Sequence, residues 1–149
     1  MSVRSLSLAC SLIAALVLMA GCAPSRGLQP IADRPITLDA RCDGTGPTGL
    51  VESARLHVTA SRVQALAWRI DGGARGRCQF DFIDFDQRQA RPHIELISRK
   101  APSCKLMIWR DPRHVTLSHA GCERVCPAAV LSDALPIIFD PASGGCAAS

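Results

Sequence analysis

The sequence predicts a mainly β domain: a small antiparallel barrel or sandwich of seven to eight strands, braced by disulfides and carrying one short C-terminal helix. Three observations carry that expectation. From Ile36 onward, apolar residues recur with a period of two, as in strands that bury one face. Turn-forming residues interrupt these runs at intervals of about eight to twelve residues. Six cysteines are spread over the same region, Cys42, Cys78, Cys104, Cys122, Cys126 and Cys146, an even number suited to three cross-links in an oxidising compartment.

The elements follow in order. Ile36, Leu38 and Ala40 alternate with polar neighbours, and so do Leu56, Val58 and Ala60. After Ser61 and Arg62 the period resumes at Leu66, Trp68 and Ile70. Asp71-Gly72-Gly73 is a strong turn signal and makes Cys78-Gln79-Phe80-Asp81-Phe82 the hairpin partner. Phe82 and Ile83 are adjacent apolar residues, a slip of phase that marks a bulge or bend before Phe85. Ile94 and Leu96 form the next run, with Pro92 at its edge. Residues 104–109 are apolar on both faces, as in a strand covered on both sides, and Trp109, like Trp68, is expected in the core. Asp111-Pro112 turns the chain into a strand over residues 114–118. Residues 127–135 read as the helix, with Pro127 in its first turn and Pro136 as its stop, and Ile137-Ile138-Phe139 as a last edge strand.

The chain begins differently. Arg4 precedes an apolar run over residues 6–20, broken only by Ser7, Cys10 and Ser11, and the run closes in Ala20-Gly21-Cys22. It is shorter than the roughly 20 apolar residues that a membrane span needs. This arrangement resembles the leader of a bacterial lipoprotein, with Met19 where Leu is usual. The resemblance implies that residues 1–21 are a signal peptide and that Cys22 is lipidated, palmitate among its acyl chains. Each buried CH₂ of two or three such chains contributes about 0.8 kcal/mol, so release is negligible. Ordinary secretion by cleavage within Gly21-Cys22-Ala23 is the rival reading, and Pro24 is poorly placed for it. Ala23 follows the cysteine where Asp would mark inner-membrane retention, so the same resemblance implies the outer membrane, facing the periplasm. Residues 22–35 are then the lipidated N-terminus and a proline-rich tether, and residues 36–149 a single domain.

Loss of residues 1–21 leaves 128 of 149 residues, enough for one core, with 16 Lys and Arg against 13 Asp and Glu, a net charge of +3. The basic residues are scattered, and neither pattern nor compartment suits nucleic acid. Cys10 leaves with the leader and Cys22 carries lipid, so the six later cysteines pair among themselves. Spacing does not decide their connectivity; the preferred expectation joins Cys126 with Cys146 across the C-terminal loop and leaves Cys42, Cys78, Cys104 and Cys122 to cross-link strands.

Candidate chemistry is sparse. His114, His119, Cys122 and Cys126 fall within thirteen residues and have the side chains that soft metals prefer. A C-x₃-C pair without a second pair, in an oxidising compartment, favours disulfides instead, and no metal is expected. Cys122 and Cys126 also lack the two-residue spacing of thiol oxidoreductases and haem attachment. Asp81, Asp84 and Asp86 alternate with Phe82 and Phe85 like the wet face of a half-buried strand, with Asp84 and Asp86 on one side where they attract cations or pair with Arg. Ser118 and His119 point to opposite faces of a strand and form no dyad. Gly44, Gly46 and Gly49 make a loose loop unlike a phosphate cradle. Arg88, Arg91, Arg99 and Lys100 suit a surface for anionic lipid or polysaccharide, with a solvated rim as the preferred expectation.

The expectation is therefore a tethered, non-enzymatic binding or envelope-associated module that meets a protein or an envelope polymer and takes no cofactor. Size, tether, β content and cysteines give a second resemblance, to the small envelope inhibitors of lysozyme; it implies an inhibitor of a lysozyme-like or other envelope-targeting enzyme. The lack of Tyr and the positive charge run against that reading. A third is a metal-binding periplasmic protein using residues 114–126. Cys122-x₃-Cys126, the run at 135–139 and Cys146 are similar to the C-termini of small periplasmic lipoproteins that carry no assigned activity.

Overall fold

Alternation of buried and exposed side chains organises the protein into two antiparallel sheets. The computed structural model describes residues 34–148; the leader 1–21, Cys22 and all of the tether except Arg34 and Pro35 lie outside the described residues. The strands are β1 (Leu38–Thr45), β2 (Val51–Thr59), β3 (Arg62–Asp71), β4 (Arg77–Asp81), β5 (Phe85–Gln89), β6 (Ile94–Ser98), β7 (Lys105–Arg110), β8 (Val115–Ala120), β9 (Ile137–Asp140) and β10 (Gly145–Cys146). One sheet has the order β1-β2-β3-β4, the other β10-β9-β8-β7-β6-β5. Within each sheet every strand pairs with its neighbours in sequence, the simplest meander, and the chain changes sheet between β4 and β5.

The mainly β class and the hairpin after Asp71 are as expected, but the described residues hold ten strands instead of seven or eight. The phase slip at Phe82 is a 3-10 turn, Phe82–Asp84, that ends β4 and starts β5 in the other sheet, leaving Ile83 exposed. β10 has two residues, too few to leave a period in the sequence. The helix α1 (Ala128–Leu131) is one turn, shorter than the nine residues expected, and Val130 and Leu131 anchor it in the core.

On β2, Ala54, Leu56 and Val58 point inward and meet Ala40 and Leu38 of β1 and Trp68 and Leu66 of β3 through the ladder. Ala60 does not extend that series. It forms, with Ser61, a two-residue turn in which both have positive φ, 47° and 61°. Such turns match the twist of paired strands but ordinarily select Gly or Asn. Ser61 offsets the strain: its Oγ accepts the Ile36 N–H at 2.9 Å and its own N–H donates to the Ile36 carbonyl at 2.7 Å. Trp109 departs from expectation. On β7 it is Leu106 and Ile108 that are fully buried, while Trp109, on the opposite parity, is 37% exposed. A strand with apolar residues on both faces here buries only one.

The two sheets remain separate ladders, joined at two seams. At one, the Arg41 N–H donates to the Gly144 carbonyl at 2.9 Å and Cys42 of β1 is bonded to Cys146 of β10. At the other, Gln87 of β5 accepts the Val63 N–H (3.0 Å) and donates to the Ser61 carbonyl (2.7 Å) at the start of β3. The remaining disulfides are Cys78–Cys126, which fastens β4 to the segment before α1, and Cys104–Cys122, which closes the base of the β7–β8 hairpin. The expected pairing of Cys126 with Cys146 is therefore wrong. β10 returns alongside β1, so Cys146 meets a residue 104 positions away instead of its neighbour in sequence.

Candidate functional site

The residues that sequence singled out do not converge. His114 sits in the turn before β8, its Nδ1 3.8 Å from Asp111 Oδ2, while Asp111 Oδ1 accepts the backbone N–H groups of Arg113 and His114 and is thereby held below the usual carboxylate range. His119, half-buried, packs against the aromatic cluster of the core, its ring 5.6 Å from that of Trp68 and 6.2 Å from that of Phe80. Burial depresses its pKa, and Glu123 opposes that shift. Cys122 and Cys126 are in disulfides with different partners, so neither is a thiolate. Among the described residues no three His, Cys, Asp or Glu side chains are grouped as a metal ion requires.

The acidic patch is an ion-pairing surface. Asp84 binds Lys100 at 2.9 Å, and Asp86 binds Arg99 at 2.8 Å and Arg88 at 3.4 Å, while Asp81 accepts from the Gln79 amide. These pairs are largely exposed and contribute little to stability.

A different carboxylate is buried. Continuing the inward series of β2 two residues back from Ala54 reaches Glu52, which is only 8% exposed. Its ladder neighbours are Gly44 on β1 and Ile70 on β3. One step further along β3, Trp68 donates its Nε1–H to Glu52 Oε2 at 3.4 Å. No described residue donates a hydrogen bond to the other oxygen, Oε1. Burial raises the pKa of this carboxyl, and the Trp68 hydrogen bond acts in the opposite direction.

Glu52 forms part of the wall of a cavity of about 190 Å³ whose other polar sides are Thr45, Thr48 and Asp133 and whose apolar side is Leu135, Pro136 and Ile137. Three loops meet there, and one guanidinium ties them. Arg75, in the 3-10 turn Gly73–Arg75, donates from Nη1 to Asp133 Oδ2 at 2.7 Å and from Nη2 to the Thr48 carbonyl at 3.1 Å. Thr48 in turn donates its hydroxyl to the Asp133 carbonyl at 3.3 Å. The β1–β2 loop keeps its own shape through Gly46 and Gly49, whose N–H donates to the Gly46 carbonyl, and Gly49 holds φ at +77°, a value that suits glycine. At Gly44 a side chain would meet nothing within 4 Å, so its absence leaves open space over Glu52.

No family model, curated protein or solved structure matches this chain.

Proposed function

We propose that the chain is a lipoprotein, anchored through Cys22 in the outer membrane on its periplasmic face, whose β domain is a non-enzymatic binding module for a protein or an envelope polymer. The observation that carries this reading is the cysteine arithmetic. Every cysteine after Cys22 has a disulfide partner within the domain, and three disulfides suit an oxidising compartment. That leaves the Cys22 thiol for lipid. The bridged seams at β1/β10 and at β3/β5 further favour reading the two sheets as one barrel, a rigid body suited to presenting a surface at the end of a tether.

Growth of cells with labelled palmitate, followed by membrane fractionation, tests the anchor. The wild-type chain should carry label and sediment with outer membranes, while Cys22→Ser loses both properties. An unlabelled chain recovered from the periplasm would overturn the anchor. Turnover of ester, peptide, glycan or thiol substrates by the purified chain, abolished by a single substitution, would overturn the non-enzymatic reading.

A further inference from the structure

We propose that the Glu52 cavity is a binding site for a primary ammonium group on a short alkyl stem, supplied by a lysine side chain or a free amine. The inference deepens the binding-module reading and rests on it, but it does not depend on the anchor.

Glu52 is more than nine-tenths buried, receives one long hydrogen bond at Oε2 from Trp68, has no donor at Oε1 among the described residues, and lines the cavity. No buried side-chain oxygen among the described residues lacks a partner, so Oε1 is reached by solvent, and an arriving cation replaces that water with a charged donor. The polar lining is rich in acceptors: Asp133, the hydroxyls of Thr45 and Thr48, and Glu52 itself. Arg75, the cation that ties the loops beside the cavity, is already engaged by Asp133 and by the Thr48 carbonyl. An anion would therefore meet surplus negative charge and few donors.

A metal ion is a poor match as well, because no three ligating side chains group together among the described residues. An ammonium has three donors and no acceptor, which complements this lining. The apolar wall of Leu135, Pro136 and Ile137 suits methylene groups beside the charge. Size agrees. The cavity is several times the roughly 30 Å³ that a water occupies in the liquid, which leaves room for the four heavy atoms of a lysine side chain beyond its Cβ. The mouth at Gly44 gives access.

The test is a titration of the full chain with n-butylammonium, followed by NMR at the Trp68 indole N–H, which points at Glu52, and at the Gly44 amide. Saturable shifts at both are expected, with a dissociation constant on the order of millimolar for so small a ligand. Glu52→Gln should weaken binding at least tenfold. Gly44→Val, which fills the mouth and leaves the carboxylate in place, should weaken it comparably; this second variant keeps the test decisive if Glu52→Gln misfolds. The uncharged n-pentanol should not reproduce the shifts. Nα-acetyl-lysine amide and free diamines distinguish the two sources, and tighter binding of either supports the site. Equal affinity in the folded variants, equal binding of the alcohol, or shifts confined to another face would overturn it. Palmitate labelling is unaffected by any of these results, so failure of the ammonium site and failure of the anchor are separable.

Discussion

Glu52 stands where a hydrophobic residue would ordinarily complete the inward row of β2, and this placement has a measurable consequence. Its folded-state pKa is raised by burial, so the folded chain holds the proton to higher pH than the unfolded chain does. Stability is therefore unpenalised below the unfolded value near 4.5 and falls as pH rises through the raised value. Urea unfolding should show Glu52→Gln more stable than wild type by about 1 kcal/mol at pH 8, with the advantage vanishing near pH 4. A variant equally stable at both pH values would contradict the burial argument. His119 works in the opposite sense. Burial lowers its pKa below 6.5, so folding favours the neutral ring and stability is lost as pH falls below 6.5 toward the lowered value. His119→Leu should cost about 0.5–1 kcal/mol at pH 8, through lost contact with Trp68 and Phe80, and cost less or nothing at pH 5. The sequence marks His119 as a candidate ligand and does not reveal its packing, because its aromatic neighbours come from β3 and β4, some 40 to 50 positions away. Glu52 is overlooked altogether. The apolar alternation is legible from Leu56, and a Glu at the end of such a run reads as a solvent position. Ala54, between them on the same parity, is the one signal that would have extended the buried face to it.

At the scale of elements, alternation and turn chemistry locate most strands well, since both act within a few residues. They fail where a longer-range constraint decides. Ala60 has the β-compatible, apolar character of a strand residue, yet the β2–β3 turn takes it into the left-handed region. Relief of that strain by Ala60→Asn should raise stability by about 1 kcal/mol in urea unfolding, and a loss of similar size would show that the turn is not of this type. Trp109 reads as core because its strand is apolar throughout, but the parity set by Leu106 and Ile108 directs it outward. The disulfides show the same limit. Cys126 and Cys146 are close in sequence, whereas the meander carries Cys146 to the first strand. Because Cys42–Cys146 closes a separation of 104 residues, its removal by paired Cys→Ser substitution should cost about 4–5 kcal/mol on the chain-entropy view, against about 3 kcal/mol for Cys104–Cys122 with a separation of 18. Chemical denaturation of the two double variants gives the order directly; equal losses would contradict the loop-closure account.

For the whole molecule, the disulfides and the leader combine into one account. Two sheets share a core built from Trp68, Phe80, Leu106, Ile108 and Phe139, and cysteines brace one seam between the sheets, the loop to α1 and one hairpin base. Fold class was legible because period and punctuation are local. The cavity was not, because its lining comes from β1, β2, the β1–β2 loop and the segment between α1 and β9, brought together only by the meander and by Arg75. Placed on a tether from Cys22, such a domain would remain at the membrane surface and offer a preformed site to the periplasmic space. The most direct measurement is mass spectrometry of the chain purified from outer membranes without reduction. The account predicts an N-terminal peptide beginning at Cys22 with the mass of its acyl chains, and three disulfide-linked peptide pairs, 42 with 146, 78 with 126 and 104 with 122. An unmodified N-terminus, or Cys22 found in a disulfide with one of the six, would contradict it.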